Sequence, residues 1–163
     1  MRQLAPIYGF DNIVYLDETG FESTTCRQRG WGKIGCKVYG DRSGNKRPRT
    51  SLIAAKRGRQ LIAPILFEGS TNADWFNQWL VEHLFPLLPN PSIIILDNAA
   101  FHKTAPTLQI VANSPHILLF LPPYSPDFSP IENDFANLKK RRQFAPADTS
   151  IDTILNAYVS YLE

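Results

Sequence analysis

PSIIILDNAAFHK, residues 91–103, decides the fold. The run Ile93–Leu96 has no polar alternation, so it reads as a strand buried on both faces rather than one with a wet side. Asp97 and Asn98 end it abruptly. A strand covered on both faces needs helices on each side, and the flanking sequence offers them. A helix is expected from about Thr104 to Ala112, then a strand at HILLFLP (116–122). The Pro-rich loop PPYSPDFSP leads into a helix from Pro130 to about Arg142, and an amphipathic helix follows at about 149–162. That last helix carries Ile151, Ile154, Leu155, Tyr158 and Leu162 on one stripe.

Upstream the pattern is different. NIVYLDE (12–18), CKVYG (36–40), TSLIAAK (50–56) and QLIAPILFEG (60–69) read as short strands joined by Gly-rich basic turns, an antiparallel meander. From Thr71, TNADWFNQWLVEHLFPLL changes to helical period, with Trp75, Phe76, Trp79, Leu80, His83 and Leu84 on one face. Thr71 and Asp74 suggest a capping box, Pro86 limits the far end, and His83 is expected to pack at the core edge. Antiparallel strands followed by a helix–strand–helix–strand–helix alternation define an α/β domain. Its mixed sheet has antiparallel first strands and helices on both faces.

A chain of 163 residues suits one such domain. The start, MRQLAPIYG, lacks a secretory signal, and the IIIL run is too short to span a membrane. Cys26 and Cys36 have neither a second pair nor flanking histidines, which argues against zinc and for reduced thiols in a cytosolic protein. Charge is uneven. Between Arg27 and Arg59 lie eleven Lys or Arg residues and one acid, Asp41. Such a basic segment points to an anionic partner, most simply a nucleic acid.

Three acids invite a chemical reading. Asp17 and Asp97 each sit at or near the carboxyl end of an apolar strand, the edge where open α/β sheets bind ligands. Either alone is an ordinary turn former. Glu132 stands in SPIE, where Ser129 would cap, Pro130 would open the helix and Glu132 would reach back to the cap amide. Asp127 is a rival third acid, ranked lower because its SPDF setting reads as a turn. Three carboxylates converging at one edge could bind hard divalent cations through oxygen. Two such ions can clamp the attacking and leaving oxygens of a phosphoryl displacement.

The blocks VYLDETGF, IIILDNAAFHK and LPPYSPDFSPIEN resemble the three signatures of the DDE transposases. More narrowly they are similar to the mariner-like superfamily of bacterial insertion-sequence transposases. Thirty-four residues separate Asp97 from Glu132, as in many members. The resemblance runs from about Asn12 to the 140s and implies a ribonuclease H-like fold over 1–163 as a single catalytic domain. It implies an endonuclease and strand transferase that uses two Mg²⁺ (or Mn²⁺) ions to cut DNA at element ends and join them to a target. Asp17, Asp97 and Glu132 match the catalytic, metal-holding acids, with Asn98 and His102 supporting them from behind. Ser129 and Phe135 depart from the usual asparagine and tryptophan of the third block.

The partner implied is double-stranded DNA, both element ends and target, with no membrane. Candidate DNA contacts are Arg27, Arg29, Trp31, Lys33, Lys46, Arg47 and Arg49. Lys139, Lys140, Arg141 and Arg142 add a second basic group, exceeding what a helix C-terminus needs for its dipole. Trp31 either stacks on a base or packs on the sheet. The helix-turn-helix domains typical of such enzymes are expected to be absent here, so a separate chain from an upstream frame would supply them, in a possible homodimer. The setting expected is the bacterial cytoplasm, nucleoid-associated when DNA is bound. Two competing readings remain: an inactive transposon-derived DNA-binding or assembly module, and a ribonuclease H-like nuclease acting on another nucleic acid.

Overall fold

The structure, a computed structural model, describes residues 9–22, 31–37, 39, 49–89, 91–122, 129–146 and 148–162. Five strands form one sheet: β1 (Ile13–Phe21), β2 (Thr50–Arg57), β3 (Gln60–Glu68), β4 (Ile93–Leu96) and β5 (Ile117–Phe120), in the order β3-β2-β1-β4-β5. The β1–β2 and β2–β3 pairs are antiparallel, whereas β4 runs parallel to both β1 and β5. The mixed sheet expected from the change of period is therefore present.

Strand alternation sends residues to two cores. Val14, Leu16, Ile53, Ile94 and Leu96 pack on one face against Phe76, Trp79, Leu80 and Leu84 of the helix that opens as α1 (Ala73–Trp79). On the other face Phe21, Leu52, Ala54 and Leu61 meet Ile131, Phe135 and Leu138 of α3 (Ile131–Phe144) and Ile154, Leu155 and Tyr158 of α4 (Ile151–Leu162). A shorter helix, α2 (Ala105–Ala112), links β4 to β5 and is capped by Thr104. Residues Ile93 to Leu96 are all buried, as their unbroken apolar run requires.

Several local expectations give way. The cap of α1 is Asn72, whose Oδ1 accepts from Trp75 N at 2.9 Å. Thr71 does not cap, because its hydroxyl donates to Glu18 instead. His83 is exposed rather than packed at the core edge. Past Trp79 the helix widens into a π-turn over Leu80–Leu84 and tightens into a 3₁₀ turn over Phe85–Leu87. That change of pitch keeps Leu80 and Leu84 inward while His83 rotates to solvent. In CKVYG, Cys36, Lys37 and Tyr39 are not in a strand, and Cys36, Lys37 and Tyr39 are exposed. Both sides of β1 are already taken by β2 and β4, so no inner position is open to them. Val38 and Gly40 lie outside the described residues.

Ser129 is buried, but α3 has no side-chain cap. Its backbone carbonyl accepts from Glu132 N at 3.1 Å instead. One irregularity was not expected. The β2–β3 register shifts between Ile53 and Ala55, so Ala63 and Pro64 stand opposite the single residue Ala54. Ala63 takes a φ of 49°, and Trp79 Nε1 donates to its carbonyl at 3.1 Å. A bulge is where a strand tolerates a proline, and here the Trp79 hydrogen bond ties it to α1.

Candidate active site

Parallel pairing of β1 with β4 matches Ile13 to Ile93, Val14 to Ile94, and Tyr15 to Ile95. Continuing that register sets Asp17 level with Asp97. Asp17 is not at the end of β1, which extends to Phe21 along β2, but it stands just beyond the last β4 partner. That edge of the parallel strands is the ligand edge of an open sheet. Glu132 lies in the first turn of α3, whose Ile131 and Phe135 dock on the Asp17 face.

The three acids meet different surroundings. Burial pushes the Asp17 carboxyl up to about 6; Glu18 N donates to its Oδ1 at 2.7 Å in opposition, and the charges of Asp97, Glu132 and Glu18 push further upward. Asp97 is exposed and shifts the other way. His102 Nδ1 donates to its Oδ1 at 2.8 Å, and Ala99 N donates to the same oxygen at 3.2 Å. The hydrogen bond from His102 dominates and holds Asp97 below the usual carboxylate range, against its partial burial. Glu132 is exposed and accepts no hydrogen bond among the described residues, so it does not rest on the cap amide. Asn98 is exposed, and His102 is 3% exposed. Asp127 lies outside the described residues.

Among the described residues, no three Asp, Glu, His or Cys side chains stand close enough together to enclose a metal ion. The donor set nonetheless suits a hard divalent cation: carboxylates from β1, β4 and α3, with Asp17 raised by burial and then by the charges of the other two. A cation there would remove the repulsive part of that rise.

Sequence reasoning missed Glu18. Thr71 Oγ1 donates to its Oε2 at 2.6 Å, and the carboxylate lies on the α1 face of β1. Burial pushes Glu18 up, while the Thr71 hydrogen bond and His102 pull it down. The one available signal was the strand period: a second acid directly after Asp17 must face the opposite core. Glu18 and Thr71 also line a cavity of about 470 Å³ with Arg49, Ser51, Gly69, Ser70 and Phe101. Arg49 lies across β1 at Gly20, where an added Cβ would meet its Nε at 1.7 Å.

Of the basic candidates, Arg27, Arg29, Lys46 and Arg47 lie outside the described residues. Trp31 and Lys33 are exposed, and Trp31 at 103% exposure does not pack on the sheet. Lys139 and Lys140 are exposed on α3. Arg141 lies over the rings of Tyr158 and Tyr161, at 5.0 and 5.4 Å, and Arg142 faces Phe21 at 5.7 Å. No helix among the described residues is long and apolar enough to cross a membrane.

This sheet order and its two helical layers define a ribonuclease H-like domain with acids at its ligand edge. A family model described as DDE superfamily endonuclease matches residues 12–154, and the chain belongs to that family. The Mos1 strand transfer complex superposes with a TM-score of 0.75 at 18% identity, covering 99% of this chain and 51% of that one. The Mos1 mariner paired end complex with Mn gives 0.79 at 18% identity, over 98% and 51% of the two chains. The catalytic domain of Mos1 mariner transposase gives 0.65 at 15% identity, over 99% and 74%. The chain thus spans about half the length of the transposase chains in those complexes. No curated protein sequence matches it.

Proposed function

We propose that this chain is the catalytic domain of a DNA transposase, with Asp17, Asp97 and Glu132 as its metal-holding acids. One observation supports the reading: the charges of Asp97, just after β4, and of Glu132, on α3, both push the Asp17 carboxyl on β1 further upward. Two Mg²⁺ or Mn²⁺ ions held there would polarise the scissile phosphate and acidify the attacking hydroxyl, first of water and then of a DNA 3′ end. The matched mariner complexes with Mn and with Mg support that choice of ion.

The chain's own residues orient this chemistry. His102 and the Ala99 amide engage one oxygen of Asp97, and the Glu18 amide engages one oxygen of Asp17. Each aspartate is thereby held at one oxygen, and its other oxygen would be the one to meet a cation, through which a phosphate is positioned. Arg49, Lys33, Lys139 and Lys140, all exposed, give the domain cations for the DNA backbone. Recognition of element ends by a helix-turn-helix, pairing of two copies and a nucleoid-associated cytoplasmic setting belong to the same proposal.

The test is nicking of a supercoiled plasmid in Mn²⁺ by the wild type and by Asp17→Ala, Asp97→Ala and Glu132→Ala. Each variant should lose activity by on the order of 10³-fold with its fold intact. Wild-type nicking by all three would remove the assignment. A parallel RNA–DNA hybrid substrate should be cut more slowly than duplex DNA; the reverse order would point to a nuclease for hybrids.

A further inference from the structure

Glu18 follows Asp17 by one residue, so the pleat of β1 turns it to the opposite face. There it meets the histidine that holds Asp97. His102 is packed against Phe76 and Phe101, with ring centroids 4.5 and 4.0 Å apart. One ring nitrogen donates to Asp97 Oδ1. The other, Nε2, is buried with no hydrogen-bond partner, and so is Glu18 Oε1. These two orphaned atoms face one another at 4.0 Å. The far oxygen of Glu18 is tied down by Thr71 from the turn before α1.

We propose that Glu18 is a positioning residue for Asp97 that acts through His102, with Thr71 as its anchor. The inference rests on the reading of Asp97 as a metal-holding acid. Two buried polar atoms with no other partner favour the small shift that joins them through one proton held between Nε2 and Oε1. An imidazole clamped at both nitrogens cannot rotate about its Cβ–Cγ bond, so the Nδ1–H stays aimed at Asp97. Held this way, Asp97 Oδ1 keeps both of its donors, and Oδ2 accepts no hydrogen bond among the described residues. The line Thr71–Glu18–His102–Asp97 thus connects the α1 face of the sheet to the acid edge. Loss of a partner standing behind a metal ligand typically weakens metal affinity about 10–100-fold.

The measurement is calorimetric titration of the whole chain with Mn²⁺, read beside single-turnover nicking. Glu18→Ala should weaken Mn²⁺ binding about tenfold, and His102→Gln should do the same. The double variant should be no weaker than the poorer single one, because both act through one contact. Glu18→Gln, which keeps an acceptor for Thr71 and a polar group for His102, should stay within about threefold of wild type. Wild-type affinity in Glu18→Ala, or a double variant showing the product of the two losses, overturns the proposal. Should Glu18→Ala fail to fold, Thr71→Val decides. A loss of about threefold at unchanged melting temperature supports the anchor, and wild-type affinity refutes it. Asp97→Ala separates the two levels: if it binds Mn²⁺ as the wild type does, the metal site itself is misplaced, whatever Glu18 does.

Discussion

Glu132 and Asp134 stand two residues apart on α3, and the fold treats them in opposite ways. Asp134 is buried and fully answered: Lys56 Nζ reaches its Oδ2 at 2.5 Å, and Tyr158 donates to its Oδ1 at 2.6 Å. That contact joins β2, α3 and α4 through one carboxylate. Glu132 is exposed and has no hydrogen bond among the described residues, and it adds to the repulsion at Asp17. One acid completes the fold, whereas the other acid and its companions leave it electrostatically incomplete. Sites of function are where a sequence breaks the local rules that it follows elsewhere.

The sharpest way to break this contrast is to delete each acid in the absence of metal and measure stability by urea unfolding. Asp134→Ala leaves the largely buried Lys56 without its partner, and should cost about 3–5 kcal/mol. Asp17→Asn should do the reverse and stabilise the metal-free chain at pH 7. A carboxyl raised from its ordinary value of 3.8 to about 6 opposes folding by at most about 3 kcal/mol once ionised. A destabilised Asp17→Asn variant would end the claim that this edge is built around a missing charge.

The pH dependence tests the same point. In the unfolded chain Asp17 ionises near 3.8, and in the folded chain it keeps its proton to about 6. Its contribution is therefore neutral below about pH 4, falls as pH rises through that window, and is fully unfavourable above about 6. Thermal melts should show this downward component in the wild type and not in Asp17→Asn. Saturating Mn²⁺ should raise the melting temperature more at pH 7 than at pH 5, since under the proposed function proton and metal would compete for the same oxygens.

Smaller effects sharpen the picture of the answered acid. Tyr158→Phe removes one donor to a charged oxygen and should cost about 1.5–3 kcal/mol, with Mn²⁺-dependent nicking little changed. At the helix starts, Asn72→Ala should cost about 1 kcal/mol, while Ser129→Ala should cost less than about 0.5, because only Asn72 caps with its side chain. Equal losses at the two positions would restore the capping role that the SPIE sequence suggests for Ser129.

The layout of the fold was legible because Ile93–Leu96 can only be a doubly covered strand, and the period changes visibly at Thr71. Asp17 and Asp97 stood out as candidate acids because each closes an apolar run in the sequence. Glu18 did not, because its partners Thr71 and His102 come from distant segments that only the sheet brings together. The caps failed for a related reason. Thr71 and Ser129 suit a local motif, but Glu18 claims the first hydroxyl, and the carbonyl of the second already accepts from Glu132 N. His83 followed the wrong period once the helix widened at Leu80. Nothing in the residues around Ala63 announced a bulge beyond Pro64 itself, which demotes any strand that holds it.

That bulge has a further consequence. Among the described residues β3 is the outer strand of the sheet, and a straight margin invites a foreign strand to add itself. Ala63 and Pro64 interrupt the margin near its middle, where Pro64 has no amide to offer and the Ala63 carbonyl is already taken by Trp79 Nε1. Two copies of this domain meeting at that margin would thus not zip their sheets together.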